Sequence, residues 1–289
     1  MGSEMCIRDR NIIYLTMPGF GKTGPYKDWV AFGPIIEPMS GLTAAMGYSL
    51  EEPRNSGVAL VDPTSATSAA AAIVTAIRSR KKKVGGSIKI EMSLHEAGVS
   101  FNGPWLIDSQ LGAPSPVLNN GHPNMCPHGV YPCKGEDEWL ALACEDQKDW
   151  ETLAKIDHSL DPSWTIKERQ EWADLINLSI AVWCETRTKE SAAEELQNMG
   201  IAAGPVNTVP DMFKDPQVEE RKFFVPFERA ETPMPGNPIK MEGIDSSDWT
   251  RCPDLGEHNF ELLEDWLGYT PGELNQFLEE GVIADRPPS

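Results

Sequence analysis

GVALVDPTSATSAAAAIVTAIRSR, residues 57–80, is the stretch on which the reading of this chain turns. It opens with a short apolar run, Val58-Ala59-Leu60-Val61, passes through one carboxylate, Asp62, and continues as a long segment of small residues. The run has the length and composition of a strand, and Pro63 suits the first position of a helix, where no backbone donor is lost. Asp62 is then expected at a strand-to-helix junction, where free N–H groups and the positive end of the helix dipole stabilise negative charge. A carboxylate fixed at the carboxyl end of a buried strand is well placed to act as a nucleophile. An aspartate before proline is equally a helix cap, which stabilises by about 1 kcal/mol and does no chemistry. The residues of this stretch leave both readings open. In the helix, Ala66, Ala69, Ala70, Ile73, Ala76 and Ile77 recur at helical spacing and predict a narrow face that lets another backbone approach closely.

The rest of the composition sets bounds. A chain of 289 residues can build one large domain or two modest ones. Acidic residues outnumber basic ones 44 to 25, a net charge of −19, which argues against nucleic acid or an anionic membrane surface as partner. An anionic ligand must then be held by local donors. The six cysteines (6, 126, 133, 144, 184 and 252) form no CxxC pair, as expected of free thiols in a reducing compartment. No apolar run reaches membrane-spanning length and no signal peptide is visible, so a cytoplasmic protein is expected.

Outward from the central stretch, residues 1–10 (MGSEMCIRDR) read as a non-native or disordered stub before a strand at Asn11–Met17. Gly19, Gly21 and Gly24 match G-x-G-x-x-G, but Pro25-Tyr26 stands where a dinucleotide-binding helix should begin, so an irregular turn lining a cleft is expected. Trp29–Met46 reads as a helix interrupted at Pro34 and Pro38. The basic run Arg78–Lys83 is either a solvated helix end or a phosphate contact. Gly85-Gly86 turns the chain into an alternating strand, Ser87–Ser93, followed by one helix over Leu94–Leu111. Leu111–Pro127 reads as a linker or active-site loop. A hairpin is predicted from Gly129–Cys133 and Glu138–Ala143, then helices from Asp146 to Gly200.

These elements divide the chain into a large-domain part over 11–111, a smaller α+β domain over 112–200 and a C-terminal segment over 201–289. The last carries a Gly/Pro-marked strand and short helix (Gly200–Val218), a strand at Phe223–Phe227, and amphipathic helices at Leu255–Leu267 and Pro271–Gly281. His122, Cys126 and His128 lie close together but lack a fourth ligand, and no metal site is expected. No G-x-S-x-G elbow accompanies a serine nucleophile. The nine tryptophans read as core and interface residues.

Several segments, taken in order, resemble one family, the class III CoA-transferases, a group that includes formyl-CoA and carnitine CoA-transferases and α-methylacyl-CoA racemases. The matching pieces are FGKTGPYKD, MSGL, GVALVDPTSA with its alanine-rich helix, GGSIKIEMSLHEA, NNGHPNMCPHGVYPCKGEDEWLALA, GIAAGPVNTVPDMFKDPQV and LGEHNFELLEDWLGYTPGELNQFLEEGVI. They cover nearly everything after Ile12; no single piece is diagnostic, and seven in the same order are specific.

The resemblance implies an α/β fold, with a Rossmann-like large domain and a smaller α+β domain, assembled as an interlocked homodimer. It implies an enzyme that moves CoA from an acyl-CoA to a carboxylic acid, with the CoA thioester as substrate and no permanently bound cofactor. The nucleophilic aspartate of the family falls on Asp62, which would carry an acyl anhydride and then a CoA thioester. The racemases need a histidine at the position that Phe32 occupies, and no histidine lies between Asn11 and Asp62. Transfer is therefore favoured over racemisation, with a racemase-like enzyme or a non-catalytic subunit piece as alternatives. Phe32 would shape the acyl pocket or fill the core; Ser93 matches a segment near the CoA thiol end, or caps a strand. The family's N-terminal Rossmann-like half has no counterpart here, so the sequence reads as N-terminally truncated, with an incomplete CoA site.

Overall fold

β1 (Ile13–Thr16) pairs in parallel with β2 (Ile88–Glu91), from Ile13 opposite Ile88 to Thr16 opposite Glu91. Parallel neighbours require a long crossover, and here it contains α1 (Gly33–Met39), α2 (Leu42–Ala45) and α3 (Val61–Arg80). The coordinates form a computed structural model that describes residues 12–49, 51–80, 87–112, 119–225, 233–243 and 253–285. Residues 1–11, the end of the basic run at 81–83, the Gly85-Gly86 turn and part of the 111–127 loop lie outside the described residues. The chain separates into two compact units, Met1–Val206 and Asn207–Ser289.

Three expectations in this first part are corrected. The prolines do not interrupt a helix running from Trp29: α1 begins only at Gly33, Pro34 sits in its first turn, and Pro38 lies near its end. A proline in a first turn removes only a donor that has no intrahelical acceptor. Val58–Val61 is not a strand. Gly57 and Ala59 take positive φ (77° and 48°), which curls the chain, and Val61 already belongs to α3. Asp62 therefore lies within the first helical turn, and Pro63 is the third residue of the helix. The buried face of α3 is Val61, Ser65, Ala69 and Ala76; Ala66, Ala70 and Ile77 point to solvent.

After β2, the expected single helix over 94–111 is two, α4 (Leu94–Phe101) and α5 (Gly103–Gln110). Pro104 lacks the N–H that would carry the first helix onward, and the side-chain amide of Asn102 at the break donates to Ser40 O at 2.6 Å. A small cluster holds this part together: Ile36, Leu42 and Val61 are buried, with Phe20, Ala31, Met46, Leu94 and Trp105 packed around them.

The predicted hairpin is present as β3 (His128–Pro132) and β4 (Trp139–Ala143), antiparallel, with His128 opposite Ala143 and Pro132 opposite Trp139. Helices α6 (Gln147–Leu153), α7 (Ile166–Glu171), α8 (Ala173–Glu185) and α9 (Lys189–Asn198) follow, and β5 (Ala202–Pro205) adds to the far side of β4. Burial of apolar side chains stabilises each by about 1.5–3 kcal/mol, and here they form one continuous core that includes Leu140, Leu142, Trp150, Leu153, Ile176, Ile180 and Leu196. Trp172 is 51% exposed. It ends a ladder of stacked indoles, Trp150–Trp164–Trp172, with ring centroids 6.0 and 5.9 Å apart.

The second unit contains α10 (Val209–Met212), α11 (Pro216–Glu220), an antiparallel pair β6 (Phe224–Val225) and β7 (Met234–Pro235), and α12 (Asn259–Leu267) followed by α13 (Pro271–Glu279). The end of the predicted strand Phe223–Phe227 lies outside the described residues. Thr270 caps α13 through a reciprocal capping box with Glu273, the pattern expected where a Thr-Pro step opens a helix.

Candidate functional site

Asp62 is half-buried in the first turn of a 20-residue helix. Its backbone N–H donates to Ala59 O at 3.0 Å, closing the turn that delivers the chain into α3. The first-turn location puts the carboxylate beside the positive end of the helix dipole, worth about 0.3–1 kcal/mol at an exposed site. Its side chain lies directly against α1. A Cβ added at Gly33 would stand 2.0 Å from Asp62 Oδ2 and 2.7 Å from Ala59 Cβ, so only glycine admits this carboxylate to the start of α1.

Two further devices fix the approach to Asp62. Glu37, one turn along α1 from Gly33, is fully buried and accepts two hydrogen bonds from Ser56, from its N–H at 2.6 Å and its hydroxyl at 2.8 Å. Asn55 donates to Pro34 O at 3.2 Å. On the other flank, Gly98 of α4 lets the chain pack on Ser40 and Val61: a Cβ there would meet Ser40 Cβ at 2.8 Å and Val61 Cγ2 at 3.4 Å. The segment entering α3 is thus gripped at Asn55, Ser56, Ala59, Val61 and Asp62.

The other two candidate residues are placed differently. Phe32 directly precedes α1, and its carbonyl accepts from Ile35 and Ile36 at 2.9 and 3.0 Å. Its ring is 72% exposed, so it does not fill the core. Phe32 is the chain neighbour of Gly33, the residue that lies against the Asp62 carboxylate. Ser93 is buried and caps a helix, α4, and not a strand: its hydroxyl donates to Gly19 O at 3.1 Å and accepts from Glu96 N–H at 3.3 Å. Among the described residues no hydrogen bond joins Ser93 to Asp62. The glycine-marked segment is the irregular turn expected, positioned by Leu94 N–H to Pro18 O and His95 N–H to Gly19 O.

Sequence reasoning missed Gly33, Glu37 and Ser56. A signal was present for two of them: a glycine immediately before the proline that opens α1, and a lone carboxylate inside the apolar PIIEPM segment. Ser56 has no such mark.

Among the described residues no group of three or more His, Cys, Asp or Glu is arranged to hold a metal ion. The residues of the HPNMCPH segment have other partners. His128 Nδ1 lies 2.8 Å from Asn120 O, and the Cys126 thiol donates to Arg169 O at 3.3 Å. Burial pushes the Cys144 and Cys184 thiols up to about 12 and raises those of Cys126 and Cys133. A thiol kept protonated is a poor nucleophile and metal ligand.

Comparison with known proteins decides the family. The model of CoA-transferase family III matches residues 3–259. The chain belongs to CoA-transferase family III. Among its family relatives, a succinyl-CoA–D-citramalate CoA-transferase of Chloroflexus aurantiacus is 27% identical over 97% of this chain and 71% of its own length. A succinate–glutarate CoA-transferase of Agrobacterium fabrum is 29% identical over 87% of this chain, which spans 64% of that relative. The fold is that of a CAIB/BAIF family protein from Brucella suis, with a TM-score of 0.73 at 24% identity over 89% of this chain and 68% of that one. These are enzyme relatives with a mixed α/β fold, in agreement with the family resemblance of the sequence. Among the described residues no helix is long and apolar enough to cross a membrane.

Proposed function

We propose that this chain is part of an enzyme that moves CoA from an acyl-CoA to a free carboxylic acid, with Asp62 as the covalent carrier. The observation that carries this reading is the half-buried Asp62 carboxylate at the start of a long helix, received by the bare backbone of Gly33. A carboxylate oxygen of Asp62 attacks the thioester carbonyl, the C–S bond breaks, and CoA leaves as a thiolate. The resulting mixed anhydride is attacked at the Asp62 carbonyl by that thiolate, which releases the donor acid and leaves an aspartyl-CoA thioester. The acceptor carboxylate attacks this thioester and displaces the thiolate. The thiolate then takes the new acyl group from the second anhydride, and the Asp62 carboxylate is restored. Each step exchanges one acyl carbon between an oxygen and a sulfur nucleophile, so one hard exchange becomes several easier ones.

The relatives' names supply the first substrates to try: succinyl-CoA as donor and a small dicarboxylic acid as acceptor. Phe32 stands where the racemases need a histidine, which supports transfer. The reading extends to a Rossmann-like large domain built around β1 and β2, a smaller α+β domain over 112–200, an interlocked homodimer and a cytoplasmic location. The parallel pairing of β1 with β2 through a helical crossover supports the first of these.

Hydroxylamine added to the full-length protein with succinyl-CoA tests the mechanism. A hydroxamate on the peptide carrying Asp62, absent from Asp62→Asn, is the expected result. Transfer at the normal rate by Asp62→Asn overturns it, and α-proton exchange without trapping points to the racemase reading.

A further inference from the structure

The mechanism above uses Asp62 and its glycine cradle but leaves a second carboxylate unexplained. Glu37 is fully buried, no cation pairs with it among the described residues, and both its oxygens are engaged by one residue, Ser56. Burying a carboxylate is costly unless hydrogen bonds replace its water, and a core helix has no packing need for one at this place. Glu37 and Gly33 are four residues apart on α1, and therefore share one face. Gly33 receives Ala59 and Asp62, while Glu37 receives Ser56. The same helix face thus holds both ends of the Ser56–Asp62 segment. Between these ends the chain passes through positive φ at Gly57 and Ala59. An irregular segment of this kind keeps its geometry only when its surroundings over-determine it.

We propose that Glu37 is a positioning residue for Asp62. Its carboxylate clasps Ser56, fixes the curl that leads into α3, and so sets the direction in which the Asp62 carboxylate presents its attacking oxygen. The inference rests on Asp62 being the nucleophile, and goes beyond it by assigning a role to the buried Glu37–Ser56 pair. The Ser56 hydroxyl is also the acceptor for Val58 N–H at 3.5 Å, which extends the clasp two residues toward Asp62. Small errors of aim are expensive because attack needs the reacting atoms about 3–3.5 Å apart and aligned.

The test uses the full-length protein, succinyl-CoA and hydroxylamine, and reads the rate of hydroxamate formation on the Asp62 peptide. Glu37→Gln and Ser56→Ala are each expected to slow it about five- to tenfold, with KM for succinyl-CoA within twofold of the parent. Ser56→Thr, which keeps the hydroxyl, is expected to restore most of the rate. The double variant Glu37→Gln/Ser56→Ala should be slowed by less than the product of the two single effects, because both changes act on the same pair. Thermal midpoints, measured alongside, identify any variant whose slowing tracks unfolding. If the parent is labelled and the Glu37 and Ser56 variants are labelled at the parent rate, or slow only in proportion to lost folded protein, the inference falls and the nucleophile stands. An effect on KM alone also overturns it. If the parent itself is never labelled and Asp62→Asn transfers CoA normally, the nucleophile reading falls and takes this inference with it.

Discussion

The core under the β3–β4–β5 sheet and the cluster around Asp62 are built on opposite principles. The first is closed: the sheet and helices α6, α8 and α9 seal a core around Trp150, Leu153, Ile176, Ile180 and Leu196. The second has a small buried cluster of Ile36, Leu42 and Val61, and it leaves Phe32, Val58, Ile107 and Leu111 largely exposed nearby in the chain. One region spends its apolar residues on stability. The other is held by close backbone approaches at Gly33 and Gly98 and by a few buried polar bonds, and it carries the candidate chemistry. The proposed aim of Asp62 rests on those local contacts and the stability of the sheet core on apolar burial, so the two properties should respond to different substitutions.

The sharpest break between them is expected at Asp62 itself. Asp62→Asn should lower CoA transfer by more than about a thousandfold, as loss of a covalent nucleophile does, while urea unfolding of the sheet core stays unchanged. The converse is Trp150→Ala, which should cost about 3–5 kcal/mol by leaving a cavity in the closed core; the urea midpoint of the purified protein checks it. Gly33→Ala tests the cradle. Its added methyl collides with the Asp62 carboxylate, and overpacking of this kind costs about 1–3 kcal/mol. The hydroxamate yield at Asp62 should fall well before the folded fraction does.

The closed core also predicts a pH response. Its cysteine thiols have folded pKa values raised by burial, to about 12 for Cys144 and Cys184. Unfolded thiols ionise near about 8.5. The unfolded chain thus releases protons first as pH rises, so stability is intact below that value and declines as pH climbs toward the folded pKa. The urea midpoint should drop between about pH 9 and 11, with iodoacetamide labelling of these cysteines appearing only as the core opens. The smallest effect is expected outside both regions. Thr270→Ala removes one half of the α13 capping box and should cost about 1 kcal/mol, read by amide exchange in that helix alone.

How far the sequence could be read follows the same division. The hairpin and the helices after it were legible because their apolar residues alternate or recur at helical spacing against a core on the same stretch of chain. The opening of α13 at Pro271 is equally local. Around Asp62 the decisive forces are not periodic. Val58–Val61 has the composition of a strand, but positive φ at Gly57 and Ala59 turns it aside before any partner is met. The buried face of α3 was displaced because Ser65 and Val61, not Ala66 and Ala70, meet the rest of the structure. The aspartate could be singled out from its place in a run of matching segments. Its cradle could not, because the contact between Gly33 and Asp62 joins residues far apart in the chain.

The indole ladder gives the closed region an optical signature. Trp150, Trp164 and Trp172 lie nearly parallel in pairs, with interplanar angles of 13° and 7°, and Arg169 covers the Trp150 ring at 5.6 Å. Chromophores stacked at such separations share excitation, so their transitions split and generate paired bands of opposite sign in circular dichroism. Loss of that couplet would report disassembly of this region directly, against the background of the remaining tryptophans, and would let its unfolding be timed separately from events at the carboxylate.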